Sequence, residues 1–227
     1  MPSVVLVRHG QARAGGLAGG LTERGLTQTV RTGEALRERG VVATSLVSGT
    51  LARQTETADA VGPLVGGGAC ARDPRWNEYD VLALLTAYGD GSRTGTRTRV
   101  LADDQRALQT ALDAALLRWQ QDGSGGERLP SWADFAGGAE AALRDVARSL
   151  DSGQTAVVVT SAGPTAALVG RLLGLPAEAV VALHRVWVNG STTKLVTGRS
   201  GVSVVSLNEH GHLERRHPTH GDLVTYR

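Results

Sequence analysis

Apolar positions in this chain fall into short continuous runs separated by amphipathic stretches. Residues 3–7, Ser-Val-Val-Leu-Val, form a β-branched run too short for a helix, and it reads as a parallel strand buried on both faces. The Gly-rich segment after it, RHGQARAGGLAGG, must be a loop. Residues 22–39 predict a helix capped by Thr22 and ended by Gly40, with Leu26, Val30, Gly33 and Leu36 on one face. A second strand is expected at 41–47, and a second helix from Thr50 to Val61, stopped by Pro63 and the glycines at 66–68. Residues 155–160, TAVVVT, give the clearest later strand. Ser161-Ala162-Gly163-Pro164 then turns into a helix closed by Gly174 and Pro176. Two more strands are expected at about 185–197 and 201–207.

Alternation of apolar strands with helices predicts a three-layer α/β sandwich, a mostly parallel sheet flanked by helices. The middle, about 79–135, breaks that rhythm. It holds a Gly/Thr/Arg stretch at 89–99, a helical run from Ala102 to Gln120 and the loop QDGSGGERLP. It reads as an insertion or cap beside the site within a single domain spanning 1–227.

Composition narrows the field without naming a function. At 227 residues, 41% hydrophobic and 20% charged, the chain can bury a core without disulfides or metals. The formal net charge is +2 and no run of five like charges occurs, which argues against nucleic acid as a partner. Cys70 is the single cysteine, so no intrachain disulfide can form and a reducing compartment is allowed. The chain passes from Met1-Pro2-Ser3 straight into a short apolar run that meets charge at Arg8. That is not a signal peptide, and no stretch is long enough to span a membrane, so a cytoplasmic location is expected. Without heptads or an exposed apolar helix, the oligomeric state stays open, a homodimer included.

The chemistry begins at Arg8-His9-Gly10. This triplet sits just past the carboxyl end of a strand, the edge where open α/β sheets bind ligands. A neutral histidine there can attack phosphorus through one ring nitrogen while the other donates a hydrogen bond that fixes the tautomer. Arg8 can clamp phosphoryl oxygens, and Gly10 lets the backbone turn sharply. Taken alone, the triplet also suits an ordinary loop histidine.

Its neighbours decide more. LVRHGQ at 6–11 is followed by LTERGLTQ at 21–28, SGTLARQTETA at 48–58 and RWNEYD at 75–80. Later come LVGRLLGLP at 168–176, NGSTTKL at 189–195 and SLNEHGHL at 206–213. In that order and spacing they resemble the histidine phosphatase (phosphoglycerate mutase-like) superfamily over nearly the whole chain except the middle insertion. The resemblance implies hydrolysis of a phosphate monoester through a phosphohistidine on His9, with a small phosphorylated molecule as partner, no cofactor and no metal. It makes Arg8 and Arg53 the phosphate-clamping cations and Glu78 the proton donor, with Asp80 as rival. Gln11, Ser161 and Ala162 become further phosphate contacts. A proton donor at Glu78 needs burial beside the phosphate to keep its proton.

One departure stands out. The family carries a second catalytic histidine after the later strand, in a Val-x-His-x-Gly context, and this chain reads Val159-Thr160-Ser161-Ala162-Gly163. Loss of one preorganised donor costs on the order of 3–4 kcal/mol of transition-state stabilisation. Ser161 keeps a neutral donor of shorter reach, and the N–H groups of 162–163, at a helix N-terminus, favour an anion. The alternatives that follow are a weakened or inactive member that binds phosphate esters, and a phosphomutase. Among the remaining histidines, His184 can approach the site, and His210 and His212 would share one face of a strand, a spacing that suits a metal. The last-strand segment of the family has no metal role. Arg13 and the segment LPSWADF also depart from the family pattern, in regions that set specificity, so the substrate is not transferable.

Overall fold

A computed structural model describes residues 1–13, 19–89, 105–122, 124–198 and 201–226. Six strands form one sheet: β1 (Ser3–Arg8), β2 (Ser45–Ser48), β3 (Ala71–Arg72), β4 (Thr155–Thr160), β5 (Thr192–Gly198) and β6 (Gly201–Glu209). Their spatial order is β3-β2-β4-β1-β5-β6. The pairs β3–β2, β2–β4 and β4–β1 are parallel, and β1–β5 and β5–β6 are antiparallel. The described helices are α1 (Glu23–Glu38), α2 (Ala52–Val61), α3 (Val81–Tyr88), α4 (Gln105–Asp122), α5 (Trp132–Arg148), α6 (Ala162–Leu173) and α7 (Ala177–Val186).

The central strands are apolar at every interior position because both of their faces are covered. Val4, Leu6, Ala156 and Val158 point to one side, where they meet Leu143 and Val146 of α5 and Leu168 of α6. Val5, Val7, Val157 and Val159 point to the other, against Leu36 of α1 and Ala58 and Val61 of α2. Each fully buried Val or Leu contributes about 1.5–3 kcal/mol, and the alternation leaves no register slip that keeps both sets covered. This is the expected three-layer α/β sandwich, with a mixed sheet that is parallel in its central part.

Several local expectations need correction. The inward face of α1 is Gly25, Gln28, Thr29, Thr32, Gly33 and Leu36, while Leu26 and Val30 are exposed. Polar side chains can line that face because each finds a partner: Gln28 Nε2 donates to Leu223 O at 2.6 Å and to Thr225 Oγ1 at 2.8 Å, and Thr32 Oγ1 donates to Gly190 O at 2.8 Å. The strand expected from 185 starts only at Thr192, since residues up to Val186 complete α7 and Asn189-Gly190-Ser191 form a loop. The strand expected at 41–47 is shortened to Ser45–Ser48. His210 and His212 do not share a strand: β6 ends at Glu209, and a 3-10 turn over Gly211–Leu213 follows. Of the central region, the 90–104 part of the Gly/Thr/Arg stretch and helix start lies outside the described residues. What is described of it, α3 and α4, packs Leu84, Tyr88, Leu116 and Trp119 around Tyr79 and against Val181 of α7.

His212 is held by Thr32 Oγ1 and Gly190 O, each at 3.2 Å. Burial is the main cause that pushes its pKa down from 6.5 to about 4. The unfolded chain therefore takes up a proton here before the native one does. The stability His212 contributes is intact above about pH 6.5 and is lost as pH falls towards about 4. Urea unfolding across that range should show a steeper acid loss of stability for the wild type than for His212→Asn. Parallel curves would remove His212 from the acid response.

Candidate active site

β1 and β4 run in register, Arg8 opposite Thr160, and the His9 N–H donates to Thr160 O at 3.0 Å. His9 and Ser161 therefore leave the sheet side by side at its carboxyl edge. The loop after α7 fixes the His9 backbone from the other side. Gly190 N–H reaches Arg8 O at 3.0 Å and His9 O at 3.3 Å, and Asn189 Nδ2 donates to His9 O at 3.2 Å. Gly10 packs so closely on α1 that a Cβ would lie within contact of Gly25 O and 2.9 Å from Thr29 Cγ2. This is the close approach that only glycine permits.

The His9 ring is buried. Its Nδ1 lies 2.7 Å from Gly10 O, an atom that only accepts, so Nδ1 carries the proton. Arg53 Nε donates to Nε2 at 3.1 Å, which places the lone pair there. Desolvation first, and the charges of Arg8 and Arg53 after it, hold the His9 pKa well below 6.5. The ring is neutral, and Nε2 is its basic atom.

Arg53 and its neighbour Gln54 come from the first turn of α2, and both are buried. Arg8 points its guanidinium at two main-chain carbonyls, donating to Trp187 O and to Tyr226 O, the latter at 3.0 Å. Its charge still acts on His9 and on Glu78. Gln11 also serves the fold: its N–H donates to Gln28 Oε1 at 2.7 Å and its Oε1 accepts from Thr22 Oγ1 at 3.1 Å.

Glu78 meets the end of α6. Its Oε2 accepts from Gly163 N–H at 3.1 Å, so the helix N-terminus expected to favour an external anion holds the carboxyl of Glu78. Burial raises the Glu78 pKa, and this outweighs the lowering by the Gly163 hydrogen bond, Arg53 and Arg8. Asp80 is not part of this group. It caps α3, accepting from Leu82 N at 2.9 Å and Ala83 N at 3.1 Å. Ser161 is fully buried, and its Oγ accepts from Gln54 Nε2 at 2.9 Å. Ala162 is the first residue of α6. The structure thus gathers His9, Arg8, Arg53, Glu78, Ser161 and Ala162 at one sheet edge.

The remaining candidates lie elsewhere. His184 is on α7, with Nε2 3.1 Å from Tyr79 Oη. Arg13 is exposed. Among the described residues, no group of three or more His, Cys, Asp or Glu could hold a metal ion, and no helix is long and apolar enough to cross a membrane. The sequence reading gave no role to Gln54, set the Gly163 N–H towards an external anion where Glu78 is found, and gave no role to Asn189. Polar Gln54 on the inward face of a helix, directly after Arg53, was the signal for the first; the other two depend on contacts between distant segments.

Gly163 admits the Glu78 carboxyl because it has no side chain. A Cβ there would overlap Glu78 Oε1 and lie 2.8 Å from Tyr79 Cε1. Gly163→Ala should cost about 1–3 kcal/mol by overpacking, read by urea unfolding, and the cost should shrink in a Glu78→Ala background. An equal cost in both backgrounds would mean that the carboxyl is not what Gly163 accommodates.

The sequence profile of the histidine phosphatase superfamily (branch 1) matches residues 4–210. No curated protein sequence matches the chain. Among solved structures, a mycobacterial glucosyl-3-phosphoglycerate phosphatase in complex with VO3 is 26% identical, over 92% of this chain and 99% of that one, with a TM-score of 0.64. Mycobacterial hydrolase 1 is 25% identical, over 91% and 97%, with a TM-score of 0.64. A mutant phosphoserine phosphatase from Entamoeba histolytica in complex with phosphoserine shares the fold at 18% identity, over 94% and 100%, with a TM-score of 0.64. With the profile match covering both the His9 strand and the Ser161 turn, the chain belongs to the histidine phosphatase superfamily.

Proposed function

We propose that this protein hydrolyses phosphate monoesters of small molecules through a phosphohistidine formed at His9 Nε2. The observation that carries the reading is the His9 ring itself: buried, with Nδ1 bonded to Gly10 O at 2.7 Å and Nε2 facing Arg53 at 3.1 Å. In the first step the Nε2 lone pair forms the N–P bond while the ester P–O bond breaks. Glu78 gives its proton to the leaving oxygen. In the second step Glu78, now a carboxylate, takes a proton from water, the water oxygen bonds to phosphorus and the N–P bond breaks. Arg53 exchanges its bond to Nε2 for the phosphoryl oxygens, Arg8 adds positive charge, and Gln11, the Ser161 hydroxyl and the Ala162 N–H complete the cradle. The relatives solved with VO3 and with phosphoserine, both phosphatases by name, support a small phosphorylated substrate.

A second reading is favoured by one observation, Ser161 at the place of the second histidine. It is a protein that binds phosphate esters without turning them over. Phosphate release from a panel of monoesters separates the two. Wild type should release phosphate with EDTA present, and His9→Ala should fall to background. Binding of phosphate esters without release by wild type would establish the second reading, and turnover surviving in His9→Ala would remove His9 from the chemistry.

The opposed pKa displacements of His9 and Glu78 set the pH dependence. Activity needs His9 neutral and Glu78 protonated. It is lost on the acid side as His9 gains a proton, below the ordinary histidine range, and on the basic side as Glu78 loses its proton, above the ordinary carboxyl range. Glu78→Gln should lower kcat/KM by about 10²–10⁴-fold and abolish the basic limb. A basic limb that persists in this variant would assign it to another group.

A further inference from the structure

Two consecutive residues of α2 reach two different partners at the sheet edge. Arg53 meets His9, and Gln54 meets Ser161. Gln54 is fully buried, and its amide is committed on every side. Nε2 donates to Trp76 O at 2.8 Å and to Ser161 Oγ at 2.9 Å, while Oε1 accepts from Leu51 N–H at 3.2 Å. Rotating the amide by half a turn would set oxygen against the Trp76 carbonyl and NH2 against the Leu51 N–H, so the network itself fixes which end is the donor. Gly49 leaves room for this amide, since a Cβ there would overlap Oε1.

The consequence falls on Ser161. Its oxygen receives a hydrogen from Gln54, so its single proton must point elsewhere. Ser161 is the N-cap of α6, yet its side chain makes no capping bond, and among the described residues it donates to no acceptor. The register of β1 and β4 sets it beside His9. We propose that Gln54 is a positioning residue that holds the Ser161 hydroxyl as a hydrogen-bond donor to the phosphoryl group, and that the Gln54–Ser161 pair fills the role of the missing second histidine. This rests on phosphoryl transfer at His9.

The test is a double-mutant cycle on kcat and KM for p-nitrophenyl phosphate, using wild type, Ser161→Ala, Gln54→Met and the double variant, with thermal midpoints alongside. Each single change should lower kcat about 10–100-fold with KM within about threefold, and the double variant should fall no further than the worse single one. Multiplicative losses would make Gln54 a purely structural residue and overturn the pairing, as would an unchanged kcat in Ser161→Ala. If Gln54→Met does not fold, Gln54→Glu replaces it. A carboxylate there draws the Ser161 proton to itself, and its protonated form donates again. Its rate relative to wild type should therefore rise as pH falls from about 8 to about 5, and a flat ratio would overturn the proposal. Absence of phosphate release from the wild type would refute phosphoryl transfer and the pairing together. That outcome is distinct, because it appears before any substitution is made.

Discussion

The parallel pairing of β1 with β4 is the constraint on which the site rests. Ladder bonds hold Arg8 opposite Thr160, and the His9 N–H continues the ladder one residue further. Both strands are apolar on both faces, so neither can slip without turning valines out of one core layer and into the other. β2 pairs with the far side of β4 and delivers α2 to the same edge. Three adjacent strands thus each supply one part: β1 the histidine, β2 the helix that carries Arg53 and Gln54, and β4 the turn that carries Ser161 and Gly163. The side chains are imprecise on their own, and the sheet makes their placement reproducible.

Electrostatics adds a second layer. A buried imidazole between two guanidinium groups remains neutral because a third positive charge there is opposed by desolvation and by both cations. A carboxyl nearby is pulled two ways: burial favours its protonated form, while Gly163 N–H, Arg53 and Arg8 favour the carboxylate. Burial is the larger effect, and the net result is a histidine pKa pushed down beside a carboxyl pKa pushed up. Arg53 links the two groups, since it contacts His9 and feels the charge of Glu78.

What the sequence made legible follows from the same physics. β4 could be read to the residue, because a strand covered on both faces is a continuous apolar run with polar punctuation. The family resemblance singled out His9, Arg53 and Glu78, and the fold brings the three together at one sheet edge. The inward face of α1 was not legible. Gln28 and Thr32 are buried there through bonds to residues more than 150 positions away, and hydrophobic spacing carries no trace of such partners. The start of β5 was misread for a related reason: Val186 and Val188 are apolar but belong to a helix end and a loop packed under the C-terminal segment. The occupant of the α6 N-terminus was equally hidden, because Glu78 and Gly163 meet only in the folded chain.

The serine at position 161 reads differently once its surroundings are considered. A histidine in that place would add a cationisable ring to an enclosed site that already holds Arg8, Arg53 and His9, and its protonated form would carry a further desolvation penalty. A hydroxyl adds no charge and needs only a defined direction for its one proton. A lone buried serine lacks that direction, since its proton can rotate among several acceptors. Gln54 narrows it by donating to the oxygen from behind, which turns the proton away from that side, and Gly49 leaves the space for Gln54. The hydroxyl is therefore accompanied by groups with a geometry of their own. A buried amide with both its hydrogens and its oxygen matched to partners has one orientation, and that fixed orientation is what the pairing with Ser161 needs.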